Sequence, residues 1–475
     1  MASIIIREED LTTNVLDESI TDIAYVPGFG ALPDSDHTTR ADAFTPVLCT
    51  SLEQFESAFG SAPQKFTVKY EYNATNWGTA AFDSDNATMF DVGDADPGYT
   101  YARELIMAGL PVYYERVNVT STIDAADMYA ALLGTLDTST SYGTDSILNK
   151  LKDRGTYRIK YITTGGYPVF ENKQTKQITP EGGESQDWTI VDILLDVAAA
   201  DYFEDSGVNS TGRGDCIALI DHTNYAGRAL IGSGSVFNEV NGDNNILSNN
   251  STKLSYAAMF TPWADYSVAT SGVSHCALPA SFAFLKCLAS AIKDYANWFS
   301  IAGVARGTVK GINNILTDEL LTNNIANQYQ KETGISINAI TRIQPYGQVI
   351  WGNRSLMNVG DEGLKATAFL NIRNMVCDIK KVLYRAARRY MFEQNSDALW
   401  INFRSMVTPL LDQMLTGQGL QTYTMTKGAN SAKTKLYANI TITPIYAVES
   451  FDITVQITDE DASVVESGGS YVSVA

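Results

Sequence analysis

The stretch that decides the fold lies near the end of the chain, where residues 364–390 are LKATAFLNIRNMVCDIKKVLYRAARRY. It contains no Gly and no Pro, so nothing in it interrupts a helix. Its apolar residues recur at spacings typical of one face of an α-helix, and they are Phe369, Ile372, Val376, Ile379, Leu383 and Tyr390. The pattern predicts a long amphipathic helix.

Basic residues gather on the remaining surface of this predicted helix. Lys381, Arg385 and Arg388 follow one another at i, i+4 and i+7 and therefore form one stripe. Like charges at this spacing repel by about 0.2–0.5 kcal/mol per pair. The stripe is either a solvated helix face or a docking surface for an acidic partner. Its candidate docking residues are Lys380, Lys381, Arg385, Arg388 and Arg389.

A second helix is predicted at Asp397–Leu415, where apolar residues again recur at helical spacing. Pro409 lies inside this segment and is expected to kink or divide the helix, because it removes a hydrogen bond and crowds the preceding turn. Gly417 and Gly419 follow as a helix stop.

Two strands are predicted after this stop, because residues 436–443 and 451–458 alternate between apolar and polar side chains. Pro444 lies between them and marks an edge or a strand end. A ribbon of two strands is marginally stable alone, and an open edge recruits another strand. The region is therefore predicted to form polymer contacts.

Length, composition and charge restrict the classes of protein to which the chain can belong. The chain has 475 residues, 45% of them hydrophobic, and is predicted to hold two or three domains. Its net charge of -20 argues against nucleic-acid binding. Residues 1–60 carry eleven acids and two bases, whereas residues 365–410 carry eight bases and three acids, which suits electrostatic registry between copies.

Five scattered cysteines indicate reduced, buried thiols rather than a disulfide framework or a metal site; they are Cys49, Cys216, Cys276, Cys287 and Cys377. No signal-peptide pattern begins the chain, and no apolar run has the length needed to span a bilayer. We therefore expect a cytoplasmic protein until assembly or lysis, with no membrane insertion.

Residues 99–300 alternate predicted strands and helices, which favours a mostly parallel sheet covered on both sides. Cys216–Asp221 is a nearly continuous apolar strand of the kind found in the middle of a sheet. Further strands are predicted at Ile23–Val26, Thr45–Thr50, Val112–Val117, Tyr157–Thr163 and Tyr256–Phe260. Helices are predicted at Leu52–Phe59, Tyr101–Ala108, Asp124–Leu136, Thr189–Phe203 and Pro279–Ile292.

Candidate catalytic and metal sites are weak. Asp221-His222 at a strand end could imitate part of a hydrolase triad, but no Gly-x-Ser-x-Gly elbow exists. His275-Cys276 lacks zinc-ligand spacing. The Gly-rich run at 227–234 lacks the Lys-Ser/Thr of a phosphate loop, and Arg213-Gly-Asp215 is interpreted as a lead into a strand rather than an adhesion tripeptide. No catalytic residue, cofactor or metal is predicted.

A resemblance covers the C-terminal region best. Residues 363–403 (GLKATAFLNIRNMVCDIKKVLYRAARRYMFEQNSDALWINF), 417–423 (GQGLQTY) and 436–457 (LYANITITPIYAVESFDITVQI) resemble, in this order, the C-terminal domain of contractile tail sheath proteins of myophages, tailocins and related injection machines. Residues 21–60 and 278–307 (LPASFAFLKCLASAIKDYANWFSIAGVARG) support the resemblance. No single motif is diagnostic, so the resemblance depends on the order of these stretches along the chain.

The resemblance implies a structural subunit, not an enzyme, that polymerises as stacked rings around an inner tail tube and contracts to drive the tube through a host cell envelope for genome delivery. The implied partners are further copies of the chain, the inner tail tube protein, and baseplate and tail terminator proteins, with no direct nucleic-acid contact. It implies a place in the virion tail, after assembly in the host cytoplasm. A tailocin or other injection system without a genome is the alternative, and an α/β-fold enzyme a distant one.

The predicted fold class is α/β and α+β multidomain. The predicted parts are an N-terminal arm (1–22), a sheath body (23–117 and 191–340), an inserted outward-facing region (118–190), a C-terminal sheath domain (341–458) and a C-terminal arm (459–475). The stripe is predicted to face the tube. Ile4–Ile6 begin either a disordered tail or a strand donated to a neighbour. The predicted inter-subunit strand residues are Ile4, Ile5, Ile6, Phe451, Ile453, Val455 and Ile457.

Overall fold

A computed structural model describes most of the chain between Asp22 and Glu449. The described residues are 22–28, 45–61, 69–72, 88–91, 97–116, 151–165, 174–177, 185–188, 194–195, 197–199, 212–221, 253–270, 273–315, 336–357, 365–428 and 434–449. The predicted helix at Asp124–Leu136, the strand at 451–458, residues Ile4–Ile6 and the C-terminal arm lie outside them.

The described residues form both strands and helices, and strands are the more numerous. The strands are β1 (Ala24–Gly28), β2 (Val47–Cys49), β3 (Lys69–Tyr72), β4 (Thr88–Asp91), β5 (Val112–Arg116), β6 (Tyr161–Ile162), β7 (Gln174–Gln177), β8 (Ser185–Trp188), β9 (Ile217–Asp221), β10 (Ala257–Thr261), β11 (Ala264–Thr270), β12 (Val273–Leu278), β13 (Ile312–Ile315), β14 (Asn338–Ile343), β15 (Gly347–Trp351), β16 (Leu420–Lys427) and β17 (Ala438–Pro444). The helices are α1 (Leu52–Phe59), α2 (Pro97–Ala108), α3 (Ala280–Ala291), α4 (Gly303–Arg306), α5 (Leu370–Arg389) and α6 (Asp397–Thr416).

The largest sheet has eight strands in the order β15-β14-β10-β9-β6-β1-β5-β2. Its six inner strands are parallel, while β2 and β15 run antiparallel to their neighbours at the two edges. Strands β1, β9 and β10 are buried along their whole length. The prediction of a mixed α/β fold with a mostly parallel sheet is confirmed.

Helices α2 and α3 pack against each other and against this sheet. Both carry aromatic side chains into the core, where the Tyr101 and Phe282 rings meet edge to face at 5.3 Å. At the β2 edge, Phe55 and Phe59 of α1 pack on the Tyr114 ring. These contacts form one apolar cluster on the sheet.

Two predicted boundaries near the sheet need correction. The strand predicted at Ile23–Val26 extends further, because Pro27 and Gly28 continue β1. Pro27 is tolerated near the strand end, and a Cβ on Gly28 would overlap the Tyr114 phenol. The strand predicted from Tyr157 is only two residues long, since Asp153 draws the preceding residues into a turn by accepting from Gly155 N (2.8 Å).

The helix predicted at Leu52–Phe59 is confirmed as α1. Ser51 caps α1 by accepting a hydrogen bond from Gln54 N, and Gly60 ends the helix with a φ of 90°.

Helix α6 runs without a break through Pro409, so the expected division is wrong. The packing of this helix outweighs the hydrogen bond that the proline removes.

Contacts divide the chain into a unit of Met1–Ile445 and a unit of Tyr446–Ala475. In the first unit, buried apolar residues form two clusters, one on the large sheet and one among α5, α6 and β16. The second unit is described only at residues 446–449, which form neither helix nor strand. Among the described residues, no helix is long and apolar enough to cross a membrane.

Candidate functional site

The C-terminal module, residues 365–445, is built on the predicted helix pair. Ile379 of α5, Leu411 of α6 and Leu420 of β16 are all buried in its cluster. Trp298, from the chain after α3, belongs to the same cluster and donates its indole N–H to Gly417 O at 2.8 Å. A Cβ on Gly417 would overlap the Trp298 ring, so the helix stop also permits this close approach.

Strand β16 was not predicted, and it completes the module. It pairs antiparallel with β17, with Met425 opposite Ile440. Tyr423 and Met425 alternate with threonines, a strand signal that the neighbouring glycines obscured. The ribbon has two strands within the described chain, so neither outer edge has a strand partner among those residues.

One end of the basic stripe lies against the body. Lys380 donates to the Tyr256 hydroxyl at 2.7 Å, and its ammonium lies 5.0 Å from that ring centre. Lys381 is half-buried, and burial, together with the charge of Lys160, lowers the pKa of its ammonium. Arg385 is also half-buried. These residues therefore help to seat α5 on the body.

The other end of the stripe is open to solvent. Arg388 and Arg389 are exposed on the last turn of α5. Arg388 lies near the turn at Asp153, whose pKa is lowered by hydrogen bonds from Thr156 and Gly155 and to a smaller extent by the Arg388 charge. Cations at a helix C-terminus are also favoured by the helix dipole.

The turn between α5 and α6 exposes apolar side chains beside these arginines. Phe392 is fully exposed, and Met391 is 60% exposed. Phe392 has a φ of 70°, which an aromatic residue rarely adopts. Sequence analysis did not identify this tip, defined here as residues 390–396, because no pattern predicts which loop side chains stay uncovered.

The weak catalytic candidates have structural roles where they are described. Asp221 accepts hydrogen bonds from the Ser281 N–H (3.0 Å) and hydroxyl (2.5 Å) at the start of α3, and burial raises the pKa of its carboxyl to about 7. Arg213 and Asp215 are buried and form an ion pair at 2.9 Å, so the tripeptide offers no exposed adhesion motif. His222 lies outside the described residues. No group of three or more possible metal ligands occurs in the described part of the chain.

The described residues thus form a mixed α/β body joined to a module of two helices and a two-stranded ribbon. Solved contractile sheath proteins have the same fold. The chain matches the PVC extracellular contractile injection system sheath complex in its contracted state with a TM-score of 0.51 at 13% identity, covering 97% of this chain and 98% of that chain.

Two structures of the anti-feeding prophage (AFP) give the same result. The contracted helical sheath matches with a TM-score of 0.52 at 14% identity, covering 92% of this chain and 93% of that chain. A chain of the contracted baseplate matches with a TM-score of 0.56 at 14% identity over 96% and 98% of the two chains. No protein-family profile and no curated protein sequence matches the chain.

Proposed function

We propose that this chain is a structural subunit of a contractile sheath, which polymerises as stacked rings around an inner tube and contracts to drive that tube through a cell envelope. The observation that carries the proposal is the shared fold, which extends over at least 92% of this chain in each comparison above. The open ribbon supports it, because unpaired strand edges favour pairing between copies.

Electron microscopy of the purified chain, alone and with its tube protein, tests the proposal. We expect long tubular polymers. A chain that stays in discrete particles at every concentration, with or without the tube, would exclude a sheath role. The proposed subunit hydrolyses no nucleotide, since the work of contraction comes from contacts that are rearranged over many copies.

Two kinds of particle fit this role. A phage tail would deliver a genome, whereas a tailocin or other contractile injection system would act without one. Purified particles treated with nuclease separate the two, because a phage retains protected DNA. The phage tail, with the baseplate and tail terminator as further partners, is the assignment that we propose first, and the C-terminal stretches resemble the sheaths of both kinds of particle.

We also propose that the exposed end of the basic stripe faces the inner tube. Residues 365–449 carry eleven bases and five acids in a chain of net charge -20, so this module can attract an acidic partner that the rest of the chain repels. Arg388 and Arg389 are exposed and adjacent to the apolar tip. Lys380, Lys381 and Arg385 would add to the potential of this surface from half-buried positions.

Charge reversal tests this surface. Arg388→Glu with Arg389→Glu should abolish assembly on the tube while leaving the monomer folded, because both side chains are exposed. The matched control is Lys310→Glu with Arg342→Glu, which changes net charge equally at exposed body positions. Co-sedimentation with preformed tubes is the measurement, and equal loss in both double variants would refute the assignment.

A further inference from the structure

Lys160 is a fully buried lysine at the amino end of β6, and its side chain has 0% exposure. Its ammonium donates to Asp22 Oδ1 at 2.7 Å and to Asp378 Oδ2 at 2.8 Å. Asp22 lies two residues before β1, and Asp378 lies in the middle of α5. One side chain therefore joins the start of the described body to the C-terminal module.

Neighbouring groups extend this contact. The Asn297 amide donates to Asp378 Oδ2 at 2.7 Å, and the Asn374 amide donates to Asn297 O at 2.8 Å. The backbone N–H of Lys160 donates to Ile23 O at 2.8 Å. We name Lys160, Asp22, Asp378 and Asn297 the lysine node. Since Asn297 precedes Trp298, the node is continuous with the apolar cluster of the module.

The charges at the node are interdependent. Burial alone would lower the pKa of Lys160, but the carboxylates of Asp22 and Asp378 outweigh burial and hold that pKa well above its usual value. The lysine therefore stays charged and is shared between both carboxylates. Replacing Lys160 would leave two buried carboxylates uncompensated, and removing either carboxylate changes the charge and the hydrogen bonds of the ammonium that the other one shares, so a change at either carboxylate is transmitted through the ammonium.

We infer that Lys160 is a positioning residue that couples the root of the proposed N-terminal arm to helix α5, which carries the proposed tube-facing surface. This inference rests on the proposed sheath function, in which the N-terminal arm contacts a neighbouring copy and the exposed end of α5 faces the tube. Asp22 is the last residue of the predicted arm, so a displacement of the arm would first reach the node. The node holds the arm root and the C-terminal helix in one fixed relation.

Amide hydrogen exchange on the monomer tests the coupling. Asp22→Asn should raise exchange about tenfold in residues 374–381 of α5, although no residue there is changed. Asp378→Asn should produce the reciprocal increase in residues 23–26 of β1. The matched control is Asp397→Asn, which removes an exposed carboxylate paired with Lys427 at 2.9 Å and should change neither segment.

A charge-free node separates coupling from folding. Asp22→Asn, Lys160→Met and Asp378→Asn together remove every charge and leave no buried ion unpaired, so this variant should fold even if Lys160→Met alone does not. In this variant, hydrogen exchange in residues 374–381 and 23–26 should fall back towards the wild-type rates, because no charge imbalance remains to pass between the two carboxylate positions. Exchange that increases only around the substituted residue in each single variant would overturn the inference. Because the monomer is measured, failure of the wild type to form tubes would contradict the sheath function instead.

Discussion

The large sheet and the C-terminal ribbon differ in how their strands are stabilised. The eight-stranded sheet ends at β2 and β15, and its central strands are buried. The ribbon of β16 and β17 has one face on α6 and, within the described residues, two outer edges without a strand partner. The body therefore has its own stable core, whereas the ribbon is suited to gain stability from added strands.

Deletion of residues 2–21 tests this contrast most strongly. If the N-terminal segment supplies a strand to a neighbouring ribbon, the truncated chain should remain a folded monomer and lose long polymers completely. Analytical ultracentrifugation and thermal unfolding measure the two properties. Wild-type polymers from the truncated chain would show that the ribbon edges are satisfied in another way.

A cavity in the central sheet should have the next largest effect. Leu219 in β9 is fully buried, and Leu219→Ala should lower the free energy of unfolding by about 2–5 kcal/mol. Ile401→Ala on α6, where Ile401 is 63% exposed, should change it by no more than about 0.5 kcal/mol. Urea denaturation measures both, and equal losses would contradict the contrast between a closed body and an open module.

The buried carboxyl of Asp221 makes body stability depend on pH. Its folded-state pKa of about 7 lies above the unfolded value, so the unfolded chain releases this proton first as pH rises. Its ionisation should therefore lower the free energy of unfolding between about pH 4 and pH 7, by about 4 kcal/mol in total. Tyr101 and Tyr266 nearby stay neutral, because burial raises the pKa of both phenols.

Asp221→Asn should remove this part of the pH dependence, since the amide is neutral throughout the range. Urea denaturation at pH 5 and pH 8 measures the difference, and Asp294→Asn, an exposed carboxylate on the body, is the control. An unchanged pH profile in Asp221→Asn would mean that the carboxyl is already ionised in the folded state at pH 5.

The tip should show the smallest effect on stability. Phe392→Gly replaces an exposed aromatic residue at a φ of 70° with the residue that tolerates this backbone best, so the free energy of unfolding should rise by at most about 1 kcal/mol. Thermal unfolding measures this change. A clear loss of stability would indicate that Phe392 packs against another part of the chain in solution.

The sequence predicted the body better than the site. Periodicity located the C-terminal end of α5 to within one residue, although the helix begins at Leu370 and not at Leu364 as predicted. The continuous apolar run located β9 to within one residue. Periodicity missed β16, whose signal is carried by only Tyr423 and Met425 among threonines. The basic residues of α5 lie on one helix, as predicted, but their surroundings differ. Lys380 contacts Tyr256, whereas Arg389 is exposed to solvent. Residue spacing alone cannot distinguish these two environments.

The lysine node could not be predicted for a related reason. Lys160 is separated by 138 residues from Asp22 and by 218 residues from Asp378, and no local pattern connects them. A single lysine before a short strand is ordinarily a surface residue. Only the packing of α5 on the body shows that this one is buried between two carboxylates.

All five cysteines are buried thiols outside any disulfide, as the sequence predicted. Burial raises the pKa of the Cys49, Cys216 and Cys287 thiols to about 12, so almost no reactive thiolate is available at neutral pH. The native cysteines are therefore expected to react little with maleimides. A cysteine introduced at an exposed position such as Phe392 would react selectively, so that distances between subunits could be followed by fluorescence without first removing the natural thiols.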